Sequence, residues 1–238
     1  MSVSRRWVIA LACLATLGCA STQTTEPAAL NTLTAAERAE GWRLLFDGST
    51  TAGWRNFRSA TIDPRWRAVD GALTVTAAGG GDIVTVDQFE NFELQFDWKI
   101  APAGNSGVFF NVVEGDHERI YHTGPEMQIL DDARHSDGAL PSHRAGANYD
   151  LHPARVPAAL PVGEFNHVRL IVNHGHVQQW LNGQLVVEYD LWTPEWRALV
   201  AASKFKDMPD YGLAHSGHIA LQDHGDQVWF RNIKIRPL

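Results

Sequence analysis

Glu126, Gln128, Asp131 and Asp132 fall within the stretch Gly124-Pro125-Glu126-Met127-Gln128-Ile129-Leu130-Asp131-Asp132. A period of two places Met127 and Ile129 on one face of a strand and Glu126 and Gln128 on the other. An acid and an amide then project side by side from a rigid element, with two further acids at its end. Such a surface can grip a polyhydroxylated ligand and supply a general acid or base. A solvated strand face with Asp131 capping a turn would leave the same pattern. Two carboxylates would also suit glycoside hydrolysis, if their separation were right.

Other residues could complete a site. Gln222-Asp223-His224-Gly225 ends a strand, where functional groups gather. Asp223 and His224, joined by an acid from the central segment, could hold a divalent metal, although none of the 11 histidines forms a tight metal motif. Lys204, in Ser203-Lys204-Phe205, could stabilise an oxyanion or enolate, or simply lay its stem along the surface. Tyr149 could donate a proton or offer a ring face to a sugar. Trp192 and Trp196, in a stretch read as loop, could stack on a sugar. Asn105-Ser106-Gly107 reads as a tight polar turn facing ligand.

The elements that must position these groups are short strands. Phe92, Leu94, Phe96, Trp98 and Ile100 alternate with Glu93, Gln95, Asp97 and Lys99, the pattern of a half-buried strand. Asn182-Gly183 predicts a type I′ hairpin. In the last run the apolar parity changes from Val228 and Phe230 to Ile233 and Ile235, which predicts a bulge near Arg231-Asn232. About a dozen antiparallel strands with little helix predict an all-β sandwich. The segment 132–163 reads as one long loop, a length that is often functional.

Composition narrows the classes. The formal charge is -7 with no basic stripe, which disfavours nucleic acid as a partner. The first 18 residues read as an export signal: Arg5 and Arg6 precede an apolar run, and Gly18-Cys19-Ala20-Ser21 resembles a lipoprotein processing site. Lipidation at Cys19 would tie the protein to a bacterial membrane through a lipid anchor, on the periplasmic or outer-membrane face. The only cysteines are Cys13 and Cys19, so the domain at 42–238 has neither a disulfide nor a catalytic thiol. Residues 19–41 read as a tether, with Thr34 and Glu37 forming a capping box for a short helical stretch.

The ordered set LLFDGST, GGGDIVT, FELQFDWK, NSGVFF, PEMQILD, AGANYD, GEFN, LNG, SKF and GHIALQDHG…FRNIKI resembles the bacterial 3-keto-disaccharide hydrolase family across 42–238. The resemblance implies a concanavalin A-like jelly roll and an exported enzyme, often a lipoprotein, acting on oxidised glycosides. A ketone at C3 acidifies the C2 hydrogen, so a positioned carboxylate or histidine can remove it and form an enolate. Expulsion of the C1 oxygen then breaks the glycosidic bond, and water can add afterwards. On this reading Glu126 or His224 is the base. Lys204, or a metal held partly by Asp223 and His224, stabilises the enolate. Asn105, Gln128, Asp131, Arg144, Tyr149 and Gln222 bind the sugar. The rival expectations are a non-catalytic carbohydrate-binding module, a hydrolase of unoxidised glycosides and a protein-binding module.

Overall fold

A computed structural model describes residues 29–238. The export signal, Cys19 and residues 19–28 of the expected tether lie outside these described residues. Thirteen strands appear among the described residues: β1 (Arg43–Leu44), β2 (Trp54–Asn56), β3 (Trp66–Val69), β4 (Ala72–Val75), β5 (Ile83–Thr85), β6 (Phe92–Ile100), β7 (Asn105–Val112), β8 (Glu126–Leu130), β9 (Asn166–Asn173), β10 (His176–Leu181), β11 (Gln184–Asp190), β12 (His218–Leu221) and β13 (Val228–Pro237). They form two antiparallel sheets packed as a jelly-roll sandwich. The larger runs β11-β10-β9-β6-β13-β4-β3, with β1 also paired to β13, and the smaller runs β2-β5-β12-β7-β8.

Alternation builds the core between the sheets. β6 contributes Phe92, Leu94, Phe96, Trp98 and Ile100, all at most 3% exposed, and the smaller sheet answers with Val108, Phe110, Met127, Ile129, Ile219 and Leu221. Each large apolar side chain buried in this way contributes about 1.5–3 kcal/mol. The bulge in β13 falls where parity predicted it: the register shifts between Arg231 and Lys234, and Asn232 has φ 54°. The Asn182-Gly183 hairpin is also present, both residues with positive φ.

The N-terminal boundary differs from the expectation. A tether through residue 41 would float free, yet Asn31 is buried and exchanges hydrogen bonds with Asn232 at 2.7 Å in both directions. Thr34 and Glu37 form the capping box of α1 (Ala35–Ala39), and Glu37 pairs with Lys234. The β13 bulge is what turns Asn232 outward to receive Asn31. Trp196 also departs from the loop reading. It lies in α2 (Pro194–Ala201) at 2% exposure, stacked between Tyr189 and Tyr211, so it is core and not a sugar platform. Thr193 caps this helix and Pro194 occupies its first turn. Trp192 is covered by His215, 3.7 Å away between ring centroids.

On the outer face of the larger sheet Glu93 is 2% exposed and bonded to Arg169 at 2.5 Å, Arg236 at 2.7 Å and Gln95 at 2.9 Å. Burial works to raise its pKa, but these bonds together outweigh it and hold the carboxyl at about 2. Its stabilising effect is therefore present above the ordinary value of 4.5 and is lost as pH falls through about 2. Glu93→Gln leaves two arginines without their shared partner. The expected cost is roughly 1–3 kcal/mol, because both arginines keep contact with water. Urea denaturation at neutral pH measures it.

Candidate active site

Glu126 and Gln128 project from β8 on the face away from the core, as alternation predicts. Opposite them on β7 stand Phe109 and Gly107 respectively. Gly107 is required here. A Cβ at this position would lie 2.1 Å from Glu126 Oε1, so the glycine opens the floor on which the carboxylate rests. The Gln128 amide, oriented to satisfy both its ends, donates to Glu126 Oε1 at 3.0 Å and to the Ser106 carbonyl at 2.9 Å. The free edge of β8 is covered by the segment 144–149. Gly146 N donates to Gln128 O at 2.8 Å and Tyr149 N to Glu126 O at 3.1 Å.

Glu126 opens into a cavity of about 230 Å³ lined by Asn105, Tyr121, Glu126, Gln128, Tyr149, Lys204, Gln222 and His224. One larger hollow, under the segment 157–164, holds Asp131, Asp132, Arg134, Glu164 and Asn166 among apolar residues, and another borders the aromatic stack around Trp196; neither contains Glu126, Gln128 or Lys204. Glu126 is only 6% exposed. Burial raises its pKa well above the usual carboxylate range; Lys204 opposes this, and the negative charges of Asp82 and Asp137 add to it. Lys204 reaches the cavity from the loop after α2, and its Nζ sits 3.9 Å from the centre of the Tyr149 ring. Partial loss of hydration lowers its pKa, against the pull of Glu126, Asp150 and Asp137. Among the described residues Lys204 closes no ion pair with these carboxylates. The Glu126 carboxyl and the Lys204 ammonium thus line one cavity without forming an ion pair. Gln222 Oε1 is buried without a hydrogen-bond partner, an acceptor that a ligand hydroxyl can satisfy.

Of the residues expected in a site, Asn105, Glu126, Gln128, Tyr149, Lys204, Gln222 and His224 come together here. Four others do not line this cavity; one, Asp132, accepts from Ala145 N at 2.8 Å. Asp131 caps the turn after β8, accepting from Ala103 N at 2.8 Å, Ala133 N at 3.2 Å and Arg134 at 3.2 Å. Arg144 is exposed and donates to the Gly138 carbonyl at 2.8 Å. The Asp223 carboxylate receives the Gly81 and Gly225 amides, each at 3.0 Å. No cluster of three His, Cys, Asp or Glu side chains suited to a metal occurs among the described residues, so Asp223 and His224 find no third protein ligand.

The geometry brings in residues that spacing did not single out. Tyr121 forms one wall from a single turn of 3-10 helix, Ile120–His122. Asp82, just before β5, accepts from Asp223 N at 3.1 Å, and burial raises its carboxyl to about 6. Asp137, His143 and Asp150 gather behind Tyr149. Asp82 and Asp150 stood within GGGDIVT and AGANYD. Tyr121, Asp137 and His143 lie in aperiodic stretches that carry no local signal.

A family model for the 3-keto-alpha-glucoside-1,2-lyase-like domain matches residues 41–236. The chain belongs to this family. A 3-keto-disaccharide hydrolase of Bacteroides thetaiotaomicron is 37% identical over 231 residues, covering 84% of this chain and 79% of that protein. A crystal structure of a candidate glycosyl hydrolase from Parabacteroides distasonis superposes with TM-score 0.82 at 33% identity, over 88% of this chain and all of that one. A second from the same organism gives 0.65 at 31% identity, over 83% of this chain and 99% of that one.

Within this 3-keto-alpha-glucoside-1,2-lyase-like domain, Gly107→Ala separates catalysis from stability. The new methyl strikes the far end of a flexible side chain, so Glu126 can swing aside and the sheet stays intact. Turnover should fall about a hundredfold, the scale of a roughly 1 Å misplacement of a reacting group. Stability should fall by about 1 kcal/mol, the low end of overpacking costs. Parallel kinetics and thermal unfolding measure the two losses.

Proposed function

We propose that this protein cleaves the glycosidic bond of 3-keto-glycosides, with Glu126 as the base that removes the C2 proton. The observation that carries this reading is the placing of a desolvated carboxylate and an ammonium in the lining of one polar cavity. A binding module gains nothing from burying an acid whose charged form is disfavoured, whereas a base benefits from a pKa raised toward the working pH. Membership of the 3-keto-alpha-glucoside-1,2-lyase-like family and the 37% identical 3-keto-disaccharide hydrolase support the same substrate class.

Glu126 takes the C2 proton, and the electrons of that C–H bond form the enolate of the C3 ketone. Lys204 stabilises the developing negative oxygen. The enolate then re-forms its carbonyl, the C1–O bond breaks, and the departing oxygen takes the proton that Glu126 accepted. This leaves a double bond between C1 and C2. Water adds at C1 and a proton returns to C2, giving net hydrolysis. Gln222, Asn105, Gln128 and His224 face the sugar hydroxyls. The export signal and Cys19 support a lipid-anchored enzyme outside the cytoplasm.

The test uses an aryl 3-keto-glucoside beside its unoxidised counterpart. Release from the keto form alone is expected. Equal release from the unoxidised glycoside, or binding without turnover of any keto form, would overturn the reading. The pH profile of kcat/KM should be bell-shaped. Its acid limb follows protonation of Glu126 and so lies above the ordinary carboxylate range. Its alkaline limb follows loss of the Lys204 proton and so lies below the ordinary value of 10.5.

A further inference from the structure

Behind the cavity lies a group of ionisable side chains that takes no part in the steps above. Tyr149 OH donates to Asp137 Oδ2 at 3.0 Å, which directs its hydroxyl away from a role as proton donor to substrate. The His143 ring stacks on Tyr149 at 4.3 Å between centroids, with 29° between planes. His143 Nε2 lies 3.1 Å from Asp150 Oδ1, and its buried Nδ1 lies 3.6 Å from Asp137 Oδ2 without a hydrogen bond of its own. The second oxygen of Asp150 accepts the backbone N–H of Lys204 at 2.9 Å. Asp150 has φ 62°, a left-handed conformation that a non-glycine residue adopts at some cost.

These contacts connect the two cavity groups that come from loops. Tyr149 arrives on the segment covering β8, and Lys204 on the loop after α2. The main chain of Tyr149 is bonded to the edge of β8, but that bond leaves its ring free to turn, and Lys204 lies in a turn outside both sheets. His143 touches both anchors at once, the Tyr149 ring directly and Lys204 through Asp150. We propose that His143 is a positioning residue that holds Tyr149 and the Lys204 ammonium in register with Glu126.

The kinetic consequence rests on the keto-glycoside reading, but the positional claim does not, and the two are tested separately. The sequence contains four lysines, Lys99, Lys204, Lys206 and Lys234. Reductive methylation of the full domain with 13C-labelled formaldehyde gives each a resolved methyl resonance, and Lys204→Arg assigns the one of interest. At 3.9 Å from the Tyr149 ring centre that signal is displaced by the ring current. His143→Ala should move it toward the position of a free lysine. Lys99 and Lys234, over Trp229 and Trp42, should stay where they are and report an intact fold. His143→Gln, which keeps an N–H for Asp150, should restore part of the displacement and is the variant to read if the alanine form does not fold.

On the keto-glycoside, His143→Ala should lower kcat roughly ten- to a hundredfold with a smaller change in KM, as expected when a charge-stabilising group loses its alignment. Part of that loss should return in His143→Gln. An unmoved Lys204 resonance in both variants overturns the proposal. A moved resonance in a protein that turns over no keto-glycoside supports the positioning role and removes the functional reading instead.

Discussion

Glu126→Gln should abolish keto-glycoside cleavage, lowering kcat by about 10²–10⁴-fold, the usual contribution of a positioned general base. The substitution preserves shape, and the carbonyl of the introduced amide can still accept from Gln128. Binding of the sugar, read by calorimetry, should therefore survive. Stability should move in the opposite direction to activity. Burial raises the carboxyl pKa in the folded protein, so the folded state holds a proton that the unfolded chain gives up. The resulting penalty is absent below the ordinary value of 4.5 and grows as pH rises toward the folded pKa. The glutamine variant should thus melt above the wild type at neutral and alkaline pH and match it in acid. Thermal unfolding across pH, beside the kinetics, measures both. A surface carboxylate without a buried role would change neither quantity.

The second large effect is expected from Lys204→Met, which keeps an unbranched apolar side chain and removes the charge. Loss of a group aimed at a developing oxyanion lowers kcat by about 10²–10³-fold. The same substitution removes the principal influence that favours the ionised form of Glu126. The acid limb of kcat/KM should consequently shift to higher pH, and the alkaline limb assigned to the lysine should disappear. Retention of that alkaline limb would assign it to another group.

The sandwich was legible because its strands are amphipathic at period two. The parity of β6 and β8 alone separates Phe96 and Met127 in the core from Glu126 and Gln128 on the ligand face. The β13 bulge was legible for the same reason, since an extra residue reverses parity. Glu126 and Gln128 followed from that logic; Gln222 followed from its place at a strand end, and Asn105, read in a tight turn, instead opens strand β7. Among the groups that arrive on loops, Tyr149 and Lys204 were named from their neighbours and reach the cavity, but others do not. Arg144 and Asp131 carry the same charges as site residues, yet the local turn geometry uses both for main-chain bonds. Asp137 and His143 act through partners brought together only when the segment 132–150 folds back over β8. Trp196 shows a further limit. Its helix is short and follows a strand directly, so an aromatic in Thr-Pro-Glu-Trp reads equally as exposed loop or capped first turn, and only packing against Tyr189 and Tyr211 decides.

In the proposed mechanism Glu126 begins cleavage by removing the C2 proton. A 3-keto-glucoside carrying deuterium at C2 tests it most directly, with the rate of release and the label in the freed sugar followed together. The expected result is slower release than from the unlabelled substrate, loss of label to solvent, and neither release nor loss of label in Glu126→Gln. Release at the unlabelled rate, with deuterium retained in full at C2, would contradict it.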